Sequence, residues 1–374
     1  MIKILLDNFS PEQNATAWLV GAFVLAFLIA YRAFPTILYV ANEKHLMDEP
    51  DSRSMHSHKT PTFGGIGIFL SLVIVMSIVG AMLNTKVLLL VMGGLTILFF
   101  LGLKDDLTTL PAHRKFFGQL FAAALLIVFT DTRISDFSNI FGINELPYWV
   151  SLVFTLFVYV LIINAYNLID GIDGLAGSIA LLLSVVFMLL FYHLDDLSLA
   201  TISVALAGAL IAFLRMNFST KNKLFMGDTG SMIVGFLLAF FAVSFISQSQ
   251  NTPKSDFFLG APALVLAMLF YPLADTFRVF FIRVVFLRTS PFHPDNNHIH
   301  HRFIKAGFCH RTTTGIVVAI NFIIIAIAYN LLHLNLNLQI CLLFVYGSLL
   351  YSIPFMLKKK VFYKKKKIKE DALL

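Results

Sequence analysis

The feature that most constrains this chain is the recurrence, from one end to the other, of apolar runs close to the length needed to cross a bilayer. In lipid the backbone must satisfy its own hydrogen bonds, so such runs of about 20 residues are read as helices. Eleven are expected, at 17–39, 66–83, 87–103, 116–130, 146–165, 175–194, 197–214, 229–246, 259–287, 315–333 and 336–357. The fourth is short and interrupted by Gln119. Only 13% of the 374 residues are charged, about half the share usual in a soluble domain. The expected fold is therefore all-α and polytopic, one transmembrane domain over residues 1–357 followed by a basic tail at 358–374. The first run lacks the basic start and small-residue cleavage site of a signal peptide and reads as a retained span. Cys309 and Cys341 make neither a disulfide framework nor a zinc site.

Orientation follows from the basic residues. Eleven spans put the termini on opposite sides, and alternate connections differ sharply. One side carries Lys44, Arg53 and Lys59; Lys104, Arg114 and Lys115; Arg215, Lys221 and Lys223; Arg288, Arg302, Lys305 and Arg311; and the tail. The other carries only Lys3, Lys86, Arg133 and Lys254. The bias predicts an outside N-terminus and a cytoplasmic C-terminus. It also accounts for the net charge of +7 without a nucleic-acid partner, and leaves the tail as a topology determinant that attracts anionic head groups.

Nearly every polar cluster falls on that cytoplasmic side. NAYNLIDGIDGLAG, from Asn164 to Gly177, places Asn167, Asp170 and Asp173 at i, i+3 and i+6. On a helix they would share a stripe and face a single ligand; as a loop, the same Asn, Asp and Gly residues would favour turns. Asp105 and Asp106 are adjacent at the end of the third run. Two carboxylates at a low-dielectric boundary stay ionised only beside a cation or strong hydrogen-bond donors. Asp228 opens the eighth run within FMGDTGS, where Thr229 and Ser231 could cap the helix and its free amides could hold a phosphate. Phe225 is placed to stack on a base or to sit at the interface as aromatics do. His298, His300 and His301, followed by Arg302, form H-x-H-H; without a nearby Glu or Cys they suit phosphate better than zinc. His293 and His310 flank that cluster and read as incidental. Carboxylates for a divalent cation, basic residues for phosphate and a membrane location together suggest phosphoryl chemistry on a lipid-linked substrate.

At these residues the chain resembles the polyprenyl-phosphate N-acetylhexosamine-1-phosphate transferase family. DEPDSRSMHSHKTPTFGG, DDLTTL, NAYNLIDGIDGLAG, FMGDTGS and HIHHR occur in the family order and cover nearly the whole membrane domain. The H-x-H-H form is similar to the branch that starts O-antigen, enterobacterial common antigen or wall polymer synthesis. The branch that transfers phospho-MurNAc-pentapeptide typically shows three consecutive histidines. The resemblance implies transfer of a sugar 1-phosphate from UDP-N-acetylglucosamine to undecaprenyl phosphate, with UMP released, in the inner membrane of a bacterial cell. It implies magnesium, with manganese as a substitute, held by Asp228 and Asp106. Asp105, Asp106 and Asp170 would then be catalytic, one of the DD pair serving as base for the lipid phosphate. Asn167 and Asp170 would lie beside the diphosphate and ribose, Asp173 would read the uracil and Phe225 would stack on it. Lys59 would help bind the nucleotide. His298, His300, His301 and Arg302 would engage the diphosphate and amino sugar. Lipid contacts and a homodimer are further expected partners.

Two other classes were open to a chain of this kind. An ion-coupled transporter calls for polar residues deep in the spans and an internal repeat, and neither stands out. An intramembrane aspartyl protease calls for Gly two residues before the Gly-Asp pair, where this chain has Phe225.

Overall fold

The computed structural model describes residues 10–46, 60–83, 85–252, 256–288 and 298–356. Lys59 and the tail at 358–374 lie outside the described residues. The protein is an all-α polytopic membrane protein: among the described residues ten helices are long and apolar enough to cross a bilayer, and one bent pair, counted as one span, brings the number to eleven. The straight spans are α1 (Ala15–Glu43), α2 (Gly64–Leu83), α3 (Val87–Thr108), α4 (Ala112–Thr130) and α5 (Tyr148–Leu168), then α6 (Leu175–His193), α7 (Leu197–Asn217) and α8 (Gly227–Asn251). A short antiparallel hairpin, β1 (Asp136–Ile140) and β2 (Ile143–Glu145), joins α4 to α5. The one-turn α9 (Asp256–Leu259) precedes the bent pair, α10 (Ala261–Met268) and α11 (Phe270–Phe281). Then come α12 (Ile299–Lys305), α13 (His310–Asn330) and α14 (Leu336–Met356). Gln119 in α4 is buried and accepts a hydrogen bond from Asn164 Nδ2 of α5 at 2.7 Å, so this polar residue has a partner inside the bundle.

The bundle is built round α8, whose residues 229–246 are all buried. It packs against α2, α3, α5 and α6. Between helices in lipid there is no water to expel, so association depends on close packing, which small residues permit. Gly65 of α2 and Gly102 of α3 meet the first turn of α8, and a Cβ on either would collide with the backbone of Gly230 or Thr229. That contact fixes where the eighth span begins relative to the second and third.

The ninth run, expected as one helix, is broken at Leu269, with a 70° angle between its halves. Pro272 has no N–H, so the carbonyl of Met268 loses its helical donor. Asn321 of α13 supplies a replacement: its Nδ2 donates to Met268 O at 2.9 Å, and its Oδ1 accepts from Tyr271 N at 3.3 Å. One buried amide thus closes both ends of the break, as backbone opened within a membrane requires. α11 continues into one π-helical turn at Ile282–Phe286.

Candidate active site

The C-terminal ends of α3, α5 and α7 meet the N-terminal ends of α4, α6, α8 and α13 at one end of the bundle. They surround a cleft of about 690 Å³ lined by Asp105, Asp106, Lys115, Asn167, Asp170, Asp173, Phe225, Asp228, His301 and His310, among others. The segment before α2 is tied to the FMGDTGS strand of chain by its backbone: Phe225 N donates to Pro61 O at 2.9 Å and Gly64 N to Phe225 O at 2.9 Å. Gly227 has φ +72, and a Cβ there would collide with the Thr62 carbonyl. Only glycine meets both conditions without strain.

The neighbouring aspartates of α3 face different partners, as successive residues on a helix must. Asp106 caps α8. Its Oδ1 accepts from Asp228 N at 2.8 Å, and its Oδ2 accepts from Thr229 N at 3.0 Å and Thr229 Oγ1 at 2.5 Å. The cap expected from Thr229 or Ser231 therefore comes from another span, and the amides of the second and third residues of α8 are taken by a carboxylate rather than left for a phosphate. Asp105 is buried, accepts from Leu110 N at 2.5 Å and pairs with Lys115. Lys115 Nζ also lies 3.0 Å from Asp228 Oδ2. The other oxygen of Asp228 accepts from Asn167 Nδ2 at 2.5 Å, and Asn167 Nδ2 also donates to Ser231 Oγ at 2.6 Å. Three motifs far apart in sequence thus converge on Asp228.

Helix α5 stops at Leu168, so Asp170 and Asp173 sit on a loop rather than on the helical stripe that their spacing allowed. Gly174, at φ +77, turns the chain into α6, with its N–H donated to Asn217 Oδ1 at 2.5 Å. Asp170 is half-buried at the cleft wall. Burial, followed by the charges of Asp228, Asp106 and Asp173, pushes its carboxyl up to about 7. Asp173 behaves in the opposite way. Burial opposes its ionisation, but hydrogen bonds from His310 and Lys223 outweigh that and hold its pKa below the usual value. Both partners meet Oδ2, Lys223 Nζ at 2.7 Å and His310 Nδ1 at 3.1 Å. Lys223 Nζ also lies 5.2 Å from the centre of the Phe225 ring.

The histidines divide. His301 lines the cleft. His300 is buried behind it, with Nε2 directed at Gly171 of the cleft wall, and burial pulls its pKa down to about 3, so the ring is neutral. His298 pairs with Asp275 of α11 through Nδ1 at 2.7 Å. Arg302 points elsewhere: it is exposed and lies 5.3 Å from the Phe355 ring of α14. In the sequence Lys115 and Lys223 stand out only as topology charges and His310 only as a flanking residue, and Asp275 belongs to none of the polar clusters. A lysine beside a span gives no sign of which carboxylates the fold will bring to it. Tyr271 and Asp275, four residues apart within a largely apolar run, are the available signal for α11.

A family model, Glycosyl transferase family 4, matches residues 88–246. Decaprenyl-phosphate N-acetylglucosaminephosphotransferase of Mycobacterium tuberculosis is 32% identical over 314 residues, covering 78% of this chain and 77% of that protein. The chain belongs to glycosyl transferase family 4. Undecaprenyl-phosphate alpha-N-acetylglucosaminyl 1-phosphate transferase of Escherichia coli K12 is 30% identical over 280 residues, covering 73% and 72% of the two chains. A probable undecaprenyl-phosphate N-acetylglucosaminyl 1-phosphate transferase of Bacillus subtilis is 28% identical over 329 residues, covering 87% and 88%. The family 4 match spans Asp105, Asp106, Asn167, Asp170, Asp173 and Asp228, the acidic half of the cleft.

Among the described residues no three His, Cys, Asp or Glu side chains form a ready metal cage. Magnesium needs none, since it keeps most of its waters and takes one or two carboxylates together with substrate phosphates. The donor set fits such an ion in two respects. The facing groups are carboxylate oxygens, and burial, reinforced by the charges of Asp228, Asp106 and Asp173, raises the carboxyl of Asp170; a cation would relieve the repulsive part of that. Asp228, between Lys115 and Asn167, would be the ligand for such an ion. Asp106, expected beside it, already accepts three hydrogen bonds from the start of α8 and keeps little capacity for a metal.

Proposed function

We propose that this protein transfers N-acetylglucosamine 1-phosphate from UDP-N-acetylglucosamine to undecaprenyl phosphate, giving undecaprenyl-diphospho-N-acetylglucosamine and UMP, as the first membrane step of a cell-surface polysaccharide. The observation that carries the reading is the convergence of Asp106, Lys115 and Asn167 on Asp228 within one cleft at the end of a membrane bundle. The names of the family relatives agree with it.

An oxygen of the lipid phosphate attacks the phosphorus that carries the sugar. The bond from that phosphorus to the oxygen bridging it to the nucleotide phosphate breaks, and UMP leaves with that oxygen. Both reactants are anions, so positioning and charge screening matter more than nucleophile activation. Magnesium held by Asp228 would supply the screening. Asp170, with a carboxyl near 7, is suited to take the proton that a lipid phosphate monoester still carries. Asp173, with Lys223 and His310 at one of its oxygens, would receive the uracil, with Phe225 stacked beside it. Asn167 orients Asp228. Lys115, beside both Asp105 and Asp228, is within reach of donor phosphate in the same cleft. The positive-inside bias puts this end of the bundle in the cytoplasm, where UDP-sugars are available, and the membrane would be the bacterial inner membrane.

The test is UMP release by detergent-purified protein with a panel of UDP-amino sugars and UDP-MurNAc-pentapeptide, with and without undecaprenyl phosphate and magnesium. Release should require lipid, sugar nucleotide and metal together and be strongest with UDP-N-acetylglucosamine. Asp228→Asn should lower the rate by at least about 100-fold while the protein remains folded. Release with another donor would move the substrate and keep the reaction; no release with any donor would overturn the proposal.

A further inference from the structure

We propose that Asp275 is a positioning residue for the histidine cluster, an inference that rests on the transferase reading above. Asp275 lies in α11, in the half of the broken span after the 70° bend, and is 0% exposed. A carboxylate at such a site is unfavourable unless both oxygens are matched by donors. Here both are, and both donors belong to the histidine segment: His298 Nδ1 at 2.7 Å from Oδ2 and Ile299 N at 2.6 Å from Oδ1.

One side chain therefore acts twice on the same geometry. By accepting from Ile299 N it caps α12, a helix of 7 residues that is too short to hold itself together. By accepting from His298 Nδ1 it fixes the ring at the start of that helix and keeps a proton on the bonded nitrogen. The constraint passes along the rings. His298 lies nearly parallel to His300, centroids 5.4 Å apart at 13°, and His300 lies 4.3 Å from His301, the ring on the cleft. Tyr271, one turn before Asp275 on the same face, holds the second ring, with its Oη 3.2 Å from His300 Nδ1. His300 Nε2 is buried without a hydrogen-bond partner among the described residues and is directed at Gly171 on the cleft wall. Neither Asp275 nor Tyr271 lines the cleft. Both orient the groups that would meet the donor's diphosphate.

Asp275→Asn separates this role from simple capping. It keeps the volume and an acceptor for Ile299 N but places an amide NH₂ against His298 Nδ1. The expected result is a thermal midpoint in detergent within about 3 °C of the unaltered protein and a fall of about 10- to 100-fold in kcat/KM for the nucleotide sugar. KM for undecaprenyl phosphate should not change. Combined with His298→Gln, the loss should stay within about threefold of the worse single variant, because the two residues act as one unit. If Asp275→Asn fails to fold, Tyr271→Phe, which removes one hydroxyl, should lower kcat/KM for the donor by about fivefold and leave the lipid KM alone. A folded Asp275→Asn within about threefold of normal turnover, multiplicative losses in the double variant, or an unaffected Tyr271→Phe would each overturn the inference. No UMP release by the unaltered protein would instead overturn the transferase reading, and the inference with it.

Discussion

At the scale of single residues, the cleft holds each titratable group in a state that matches what surrounds it. His300 gives the plainest case for a pH experiment. Its pKa is lowered from 6.5 to about 3, first by burial. The folded state thus keeps the ring neutral where an unfolded chain would protonate it. Between pH 6.5 and 3 the unfolded state binds more protons, so stability rises with pH over that window. The contribution is complete above 6.5 and is lost progressively as the solution is acidified. Lowering the pH from 6.5 to 5.5 should cost roughly 1 kcal/mol from this residue alone. His300→Gln, which keeps a partner for Tyr271, should show a thermal midpoint less sensitive to that acidification. Equal sensitivity in the two proteins would mean that the neutral buried ring is not the source. The polar residues of the cleft could be found in the sequence because an Asp or Asn beside an apolar run is conspicuous. What each one does there could not. Asp105 and Asp106 are neighbours in sequence, yet one faces a lysine and the other the start of a helix, a division that depends on which elements lie to either side of α3.

At the scale of elements, the spans were legible because length and hydropathy are local properties. All ten straight helices overlap runs expected from the sequence. The bend in the ninth was not legible, although Pro272 sits within its run, because a proline in a membrane helix does not break it unless something takes up the freed carbonyl. That partner, Asn321, is 53 residues from Met268. Asn321→Leu should therefore do more damage than a polar-to-apolar change in a span ordinarily would. It leaves Met268 O and Tyr271 N without their partner, at a cost of about 1–3 kcal/mol. Since α11 carries Tyr271 and Asp275, turnover should fall as well. Thermal unfolding in detergent and UMP release would both register the change. A stable Asn321→Leu protein with full activity would show that the break is held by other contacts.

At the scale of the whole molecule, every group of the cleft belongs to the same end of the bundle, and the chain's own thiols can report which side of the membrane that end faces. Cys309 is exposed just before α13, at the site end, with Thr312 Oγ1 3.1 Å from its sulfur. Hydrogen bonds from Thr312 lower the thiol's pKa and favour the reactive thiolate. Cys341 is also exposed but lies within α14, on a span. A membrane-impermeant maleimide should label Cys309 in inverted membrane vesicles and not in intact cells, while Cys341 should stay unlabelled in both. Labelling of Cys309 from outside intact cells would reverse the orientation expected from the basic residues.

The cap that joins α3 to α8 also has a consequence in time. Asp106 receives its donors from the start of α8, the first of them 122 residues later in the chain, so the ribosome makes four further spans between the carboxylate and the amides it will hold. Until α8 enters the membrane, Gly65 and Gly102 of the second and third spans lack the backbone they pack against, and Asp106 lacks the amides it caps. A nascent chain halted after α7 would carry most of the protein's membrane spans but neither Asp228 nor the cleft histidines; the site is completed only once α8 and then α12 and α13 have been made.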